Sequence, residues 1–273
     1  MDVKVAGVFA SGPEEMSAFA GESLEVGYVG LAPVVTAAAH GTADVVILAL
    51  ANAEGSALVL SPGSSVTKGG DLARKTIAVP GLGSVQDVLL RKVLNQAGLR
   101  PQDVTPLVIK PPEMVSALRN KQIDGFVAWE PFPAQAVEQG VGRIYMSSHD
   151  IWPNHPCCVV VVSRRFYQQH PEAVGKILQA HTQAIDWIKA HPDEAVSIAR
   201  KYTGLPEAVI ETALKNIKYG GDLWPSQVEE YVQVLNAAGL VSISNPKAFS
   251  RGLIAEGLSL QNSDSRQKGN SQS

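Results

Sequence analysis

Short apolar runs alternate along this chain with longer stretches of helical spacing. Thr76–Val79 is a compact apolar run closed by Pro80 and Gly81, and after it Val85, Val88, Leu89 and Val93 recur at helical intervals. That pattern predicts a buried strand, a glycine turn and a helix over 84–97. The alternation continues as strand 104–109, helix 112–120, strand 123–128, helix 131–139 and strand 143–146. Strict strand–helix alternation indicates a doubly wound α/β unit. Gly98 and Gly140 fall just past helices and Pro112 in the first turn of one, as helix ends and starts favour.

Ahead of this unit, Val3–Phe9 reads as a strand. A loop at Ser11–Glu15 opens a helix that ends near Gly21, with acids in its first turn. Strand Leu24–Val29, helix Ala32–Ala39 and strands Asp44–Ala49 and Ala57–Leu60 follow. The unbroken apolar character of 44–49 fits two-sided burial, as in parallel sheets under helices. Beyond the unit, Cys157–Ser163 (CCVVVVS) is strongly β-forming. Helices are predicted at 171–190, 192–202, 206–216 and 225–238, with Pro171, Pro192 and Pro206 at starts. From Asn262 onward there is no apolar residue, so 262–273 reads as a disordered tail.

Small-residue segments near 61–70 and 148–163 mark two crossings between lobes. The expected division is a discontinuous lobe one, 1–62 with 158–261, and a lobe two, 63–157. A cleft between such lobes suits a small molecule and closes by hinge motion.

Composition narrows the function. In 273 residues, 45% are hydrophobic and 18% charged, enough to build a core. A net charge of −3 offers no field for nucleic acid or an anionic membrane surface. No apolar run reaches the length of a membrane span, and MDVKVAGVFA is too short and wrongly charged for a signal peptide. The chain is therefore expected to be cytosolic or to lack its N-terminal part. The two cysteines, Cys157 and Cys158, are neighbours, and a bridge between neighbours is strained, so no disulfide framework is expected.

Candidate chemistry centres on the glycine turn. Gly83, Ser84 and Val85 fall where a helix starts, with unpaired N–H groups, the positive dipole end and no Cβ to keep a ligand away. The same residues also describe an ordinary βα turn with a serine cap. His149, Trp152, His155, Cys157 and Cys158 form a cluster of metal-ligating types. Its spacing fits no finger or ribbon, and neighbouring cysteines in a strand point to opposite faces, so no metal is expected. His170, His181 and His191 are expected to face solvent. There is no G-x-S-x-G, H-E-x-x-H or Walker loop, and Gly81-Leu82-Gly83 is followed by Gln86 where a dinucleotide loop needs glycine. No catalytic residue and no cofactor are expected.

Taken together, several stretches resemble the solute-binding proteins of the nitrate/sulfonate/taurine group of ABC importers. They are FASGPEEMSAFAGESLEVGYVGLAP (9–33), KTIAVPGLGSVQDVLLRKVLNQAGL (75–99), PPEMVSALRNKQIDGFVAWEPFPA (111–134), HPCCVVVVSRRFYQQHPEAV (155–174) and KYTGLPEAVIETALKNIKYGGDLWPSQVEEYVQVLNAAGLV (201–241). The resemblance implies an α/β periplasmic-binding-protein fold of two Rossmann-like lobes with the ligand in the cleft. It also implies an ABC permease as partner, a monomer, and a periplasmic or membrane-anchored extracellular location. Carried over residue by residue, it implies ligand-binding roles for Ser11, Gly12, Gly30, Gly83, Ser84, Val85, Trp129, Glu130 and His155. Glu130 is expected mainly to cap helix 131–139. A strand and helix that open the family's pattern before residues 2–9 have no counterpart, which implies a shortened lobe one. Two other readings follow from the resemblance. One is an enzyme of the same fold related to the thiamine-pyrimidine-precursor synthases, whose longer cysteine cluster matches only at Cys157-Cys158. The other is a truncated ligand sensor without a transport role.

Overall fold

The computed structural model describes residues 3–255. Residues 12–54 form α1 (Gly12–Ala20), β1 (Val26–Gly30), α2 (Leu31–Ala39) and β2 (Val45–Glu54). The chain then turns through Glu54 and Gly55, both at positive φ (59° and 78°). Next come β3 (Ser56–Leu60), β4 (Thr76–Val79), α3 (Val85–Gln96), β5 (Thr105–Val108), α4 (Pro111–Arg119), β6 (Gly125–Trp129), α5 (Phe132–Glu138), β7 (Arg143–Ser147) and α6 (Ser148–Ile151). The last stretch is β8 (Pro156–Ser163), α7 (Arg164–Gln169), α8 (Pro171–Ala190), α9 (Pro192–Thr203), α10 (Glu207–Asn216), β9 (Ile217–Tyr219), α11 (Pro225–Ala237) and α12 (Pro246–Leu253). Serines set several starts: Ser11, Ser84, Ser147 and Ser163 each accept a first-turn N–H with the side-chain oxygen.

Two sheets organise these elements. The first has the order β1-β8-β2-β9, and every neighbouring pair in it is antiparallel. The second has the order β5-β4-β6-β3-β7, with β5, β4 and β6 parallel and β3 antiparallel to both neighbours. The parallel environment expected for 44–49 is therefore corrected: β2 lies between two antiparallel partners. Its apolar run has another cause. Ile47 and Leu50 enter the core shared with α2, α3 and α11, while Val46 and Leu48 pack with Val160, Val174 and Leu178 on the other face. The strands change sheet at Gly55, ahead of the crossing expected at 62–63, so 56–60 pairs within the second sheet.

The strand expected at Val3–Phe9 does not form. Val3, Val5 and Val8 are 77%, 80% and 96% exposed. β1 is the outer strand of its sheet, and the Tyr28 N–H is accepted by the Glu15 carboxylate rather than by another strand. A segment with no ladder to join has nothing to fix it as a strand. His181, expected to face solvent, is buried on α8. Its Nε2 donates to the Leu50 carbonyl at 3.1 Å and its Nδ1 accepts from the Tyr28 hydroxyl at 3.2 Å. It shares the apolar stripe of Val174 and Ile185 that lies against the sheet. The expected tail, 262–273, lies outside the described residues.

Candidate functional site

Strand register brings two sheet edges together. In the first sheet, Gly30 at the end of β1 and Asn52 near the end of β2 both face Cys158 near the start of β8. In the second sheet, Trp129 at the end of β6 faces Ser56 at the start of β3. The turn at Gly55 joins the edges. Across them, a Cβ placed on Gly30 would stand 2.9 Å from Val85 Cγ2, and one on Gly81 would stand 3.3 Å from Ser11 Oγ. A Cβ on Gly12 would meet Pro33 of α2 at 2.6 Å. Of the residues singled out in the sequence, Ser11, Gly12, Gly30, Gly83, Ser84 and Val85 thus gather where α1, α2 and α3 begin.

Their electrostatics differ from helix to helix. At α1, Ser11 Oγ accepts the Glu14 N–H at 3.4 Å and Glu14 Oε2 accepts the Ala10 N–H at 2.9 Å. At α3, Ser84 Oγ accepts the Asp87 N–H at 3.2 Å, and Asp87 Oδ2 accepts the Gly83 N–H at 2.9 Å and Arg91 Nε at 3.0 Å. The chain's own carboxylates therefore occupy the starts of α1 and α3. α2 has no side-chain cap and no acid in its first turn, and its leading residues Leu31 and Ala32 are fully buried. The Leu31 and Ala32 N–H groups at its start have no side-chain cap, and Pro33 has no N–H. The uncapped helix start nearest Gly30 is therefore that of α2 rather than that of α3. Sequence reasoning did not single out Leu31 and Ala32; the available signal was a helix opening on Gly-Leu-Ala-Pro with no capping side chain and no acid.

Trp129 is half-buried and meets Phe132 edge to face at 6.3 Å between ring centres. Glu130 faces inward instead. Its Oε2 accepts the Ala134 N–H at 3.0 Å, as a cap of α5, and its Oε1 accepts the Asn216 side-chain amide at 2.7 Å. Burial holds its pKa above the usual carboxylate value despite those two bonds. Both oxygens thus accept bonds from the protein, in line with the capping role expected for Glu130. His155 is 1% exposed, stacks on Trp152 at 5.7 Å and donates from Nδ1 to the Trp152 carbonyl at 2.7 Å. It lies behind the edge formed by Cys157 and Cys158 rather than at its surface.

A buried polar chain completes the junction: Gln86 Nε2 donates to Ser56 Oγ, and the Ser56 N–H donates to Ser148 Oγ, each at 3.1 Å. Among the described residues no group of three or more His, Cys, Asp or Glu side chains is placed to hold a metal ion, and no helix is long and apolar enough to cross a membrane. A surface cavity of about 610 Å³ opens elsewhere, between α8, α9, α10 and β9, lined by Ile188, Val196, Leu214, Ile217 and Tyr219. None of the residues singled out in the sequence lines it.

Two sheets that face each other across a double crossing, with helix starts meeting between them, define a periplasmic-binding-protein fold. Residues 1–202 match the model of the NMT1-like family, and the chain belongs to that family. It is 28% identical over 219 residues to the taurine-binding periplasmic protein of Escherichia coli, covering 77% of this chain and 67% of that one. Other curated relatives match over 77% of this chain and 65% of their own length, so the chain spans about two thirds of the relatives it matches. In structure it resembles the alkanesulfonate-binding protein SsuA of Xanthomonas axonopodis bound to MOPS, with a TM-score of 0.80, 22% identity and coverage of 90% and 86%. It also resembles the nitrate-binding protein NrtA of Synechocystis, with a TM-score of 0.81, 20% identity and coverage of 92% and 77%. The resemblance to the nitrate, sulfonate and taurine group read from the sequence agrees with these likenesses.

Proposed function

We propose that the protein is the solute-binding component of an ABC importer. It captures a small anionic or zwitterionic solute of the sulfonate, taurine or nitrate class between the two sheets and delivers it to a membrane-embedded permease. It works as a monomer outside the cytoplasmic membrane, with no cofactor and no catalytic step. The observation that carries this reading is the start of α2, with buried, uncapped N–H groups behind Gly30 and the start of α3 opposite. Ser11 adds a hydroxyl, and Trp129 offers an apolar wall for the body of a sulfonate. The two lobes close about the turn at Gly55 and the return near His155.

A thermal-shift and calorimetry panel tests the proposal with nitrate, bicarbonate, taurine, short alkanesulfonates and aromatic carboxylates. A ligand at about a hundred times its dissociation constant adds roughly 2.7 kcal/mol. A shift with one of these classes, lost in Gly30→Val, is the expected result. A folded chain that responds to none of them would sink the receptor reading.

A further inference from the structure

β8 enters its sheet irregularly. Against β2, Cys158 faces Asn52 and Pro156 faces Ala53, so Cys157 has no partner of its own there. This is a bulge, and a bulge re-aims side chains. It overturns the expectation that neighbouring cysteines point to opposite faces: the Cys157 and Cys158 sulfurs stand 3.9 Å apart. Both cysteines are free, Cys157 buried and Cys158 half-buried at the sheet edge beside Gly30.

His155, two residues before Cys157, is one of the groups that lower the Cys157 thiol pKa. His155 Nδ1 meets a carbonyl, which can only accept, so that nitrogen carries the hydrogen and Nε2 keeps a lone pair. Nε2 is buried and has no hydrogen-bond partner among the described residues. The Cys158 S–H, then His155 and Asn52, hold the Cys157 thiol below the usual thiol range, while Cys158 is pushed up by its neighbour. The Cys158 S–H points at Cys157 Sγ, so the two sulfurs are not equivalent.

We propose that Cys157 and Cys158 are a redox-active vicinal dithiol that hydrogen peroxide converts to a Cys157–Cys158 disulfide, with His155 as the proton acceptor. His155 Nε2 takes the Cys157 proton. The Cys157 sulfur attacks one peroxide oxygen, the O–O bond breaks, and the departing hydroxide recovers that proton as water. Cys157 is now a sulfenic acid. As the Cys158 sulfur then attacks Cys157 Sγ and the S–O bond breaks, the Cys158 proton, which points at Cys157 Sγ, goes to the departing hydroxide, which leaves as water. Two thiols and one peroxide give one disulfide and two waters. Strain in a bridge between neighbours makes it readily reducible, so the change reverses with a dithiol reductant. The oxidation does not rest on the proposed function.

The experiment treats the reduced, full-length chain with peroxide and reads its intact mass without reductant. The expected result is a monomer lighter by two hydrogens, restored by dithiothreitol, with the linkage mapped to the peptide holding both cysteines. Cys158→Ser stops at a Cys157 sulfenic acid that dimedone traps. His155→Gln slows oxidation at least roughly tenfold and flattens its pH profile. Two thiols that survive peroxide, oxygen added to each independently, or a disulfide-linked dimer would each overturn the proposal. Anion binding is measured separately, so its absence counts against the function and not against the dithiol.

Discussion

Lys218 Nζ stands 2.9 Å from Glu54 Oε1, and the pair sits where the chain leaves the first sheet. The same oxygen accepts His149 Nδ1 at 2.8 Å from α6 and the Asn154 N–H at 2.7 Å. Glu54 thus ties β2, α6 and β9 together at the crossing, from a backbone with φ of 59°.

The pH dependence of that tie follows from its charge. Burial alone raises the Glu54 pKa, but the bonds from His149, Lys218 and Asn154 outweigh it and bring it to about 2. A depressed pKa gives stability that is present above the unfolded value, near 4.5, and is lost as pH falls toward 2. Allowing for the exposed partners, the contribution is about 1–2 kcal/mol. Glu54→Gln therefore lowers the urea midpoint at pH 7 and flattens the loss of stability between these pH values. Equal acid slopes in the variant and the wild type would refute this.

Glu15 predicts the opposite sign. Burial raises its carboxyl to about 7 against the bond from the Tyr28 N–H. The folded protein therefore holds a proton that the unfolded chain has lost, and stability falls as pH rises from about 4.5 to 7. Glu15→Gln keeps an acceptor for Tyr28 and removes the charge. Allowing for partial exposure, it gains about 1–2 kcal/mol at pH 8 and nothing at pH 4. Chemical denaturation at the two pH values decides, and a loss at pH 8 would contradict the assignment.

Much of this architecture was legible in the chain, for identifiable reasons. The core helices follow from periodic apolar positions and serine or proline starts, as at Ser84 and Pro171. Four strands of the second sheet follow from regular alternation between 76 and 146, whereas the insertion of β3 between β6 and β7 does not. What stayed hidden depends on pairing between distant segments. The Val3–Phe9 pattern promises a strand, yet no neighbour pairs with it. Cys157 and Cys158 look opposed by strand periodicity, until pairing with Asn52 and Ala53 reveals the bulge. At the site, the small residues of 11–12, 30 and 83–85 could be read locally. That Asp87 fills the start of α3 while α2 stays open could be read only from hydrogen bonds. Glu130 was half legible: its capping of α5 follows from position, but its bond to Asn216 joins residues 86 apart in the chain.

The Glu130–Asn216 bond makes a prediction of its own. It fastens the end of α10 to the turn after β6, next to the small apolar cluster of Ala134, Val209 and Ala213. Asn216→Ala leaves the buried Glu130 oxygen without that donor, at a cost of about 1–3 kcal/mol. Glu130→Gln should be milder, because a neutral amide oxygen still accepts the Ala134 N–H and no charge is buried. Equal losses for both changes would show that packing, not the hydrogen bond, holds α10 in place.

Asp87 sits at the start of α3, where Val85 lies close to Gly30 at the start of α2. Its carboxylate sits at the positive end of α3, buried to 2% exposure and paired with Arg91 at 3.0 Å. Asp87→Asn keeps the shape and a carbonyl oxygen for the Gly83 N–H, but removes a negative charge close to Val85 and hence to the start of α2. Stability should drop by about 1–2 kcal/mol, because a charge-assisted bond becomes a neutral one and Arg91 loses its partner. Anion affinity should move the other way and tighten severalfold, since one unit of like charge has left the cleft wall. Denaturation and calorimetry with the anion found in the panel measure the two effects separately. Weaker stability with unchanged affinity would place the bound anion away from α3, whereas both falling together would show that the α3 start must stay rigid for the cleft to bind at all.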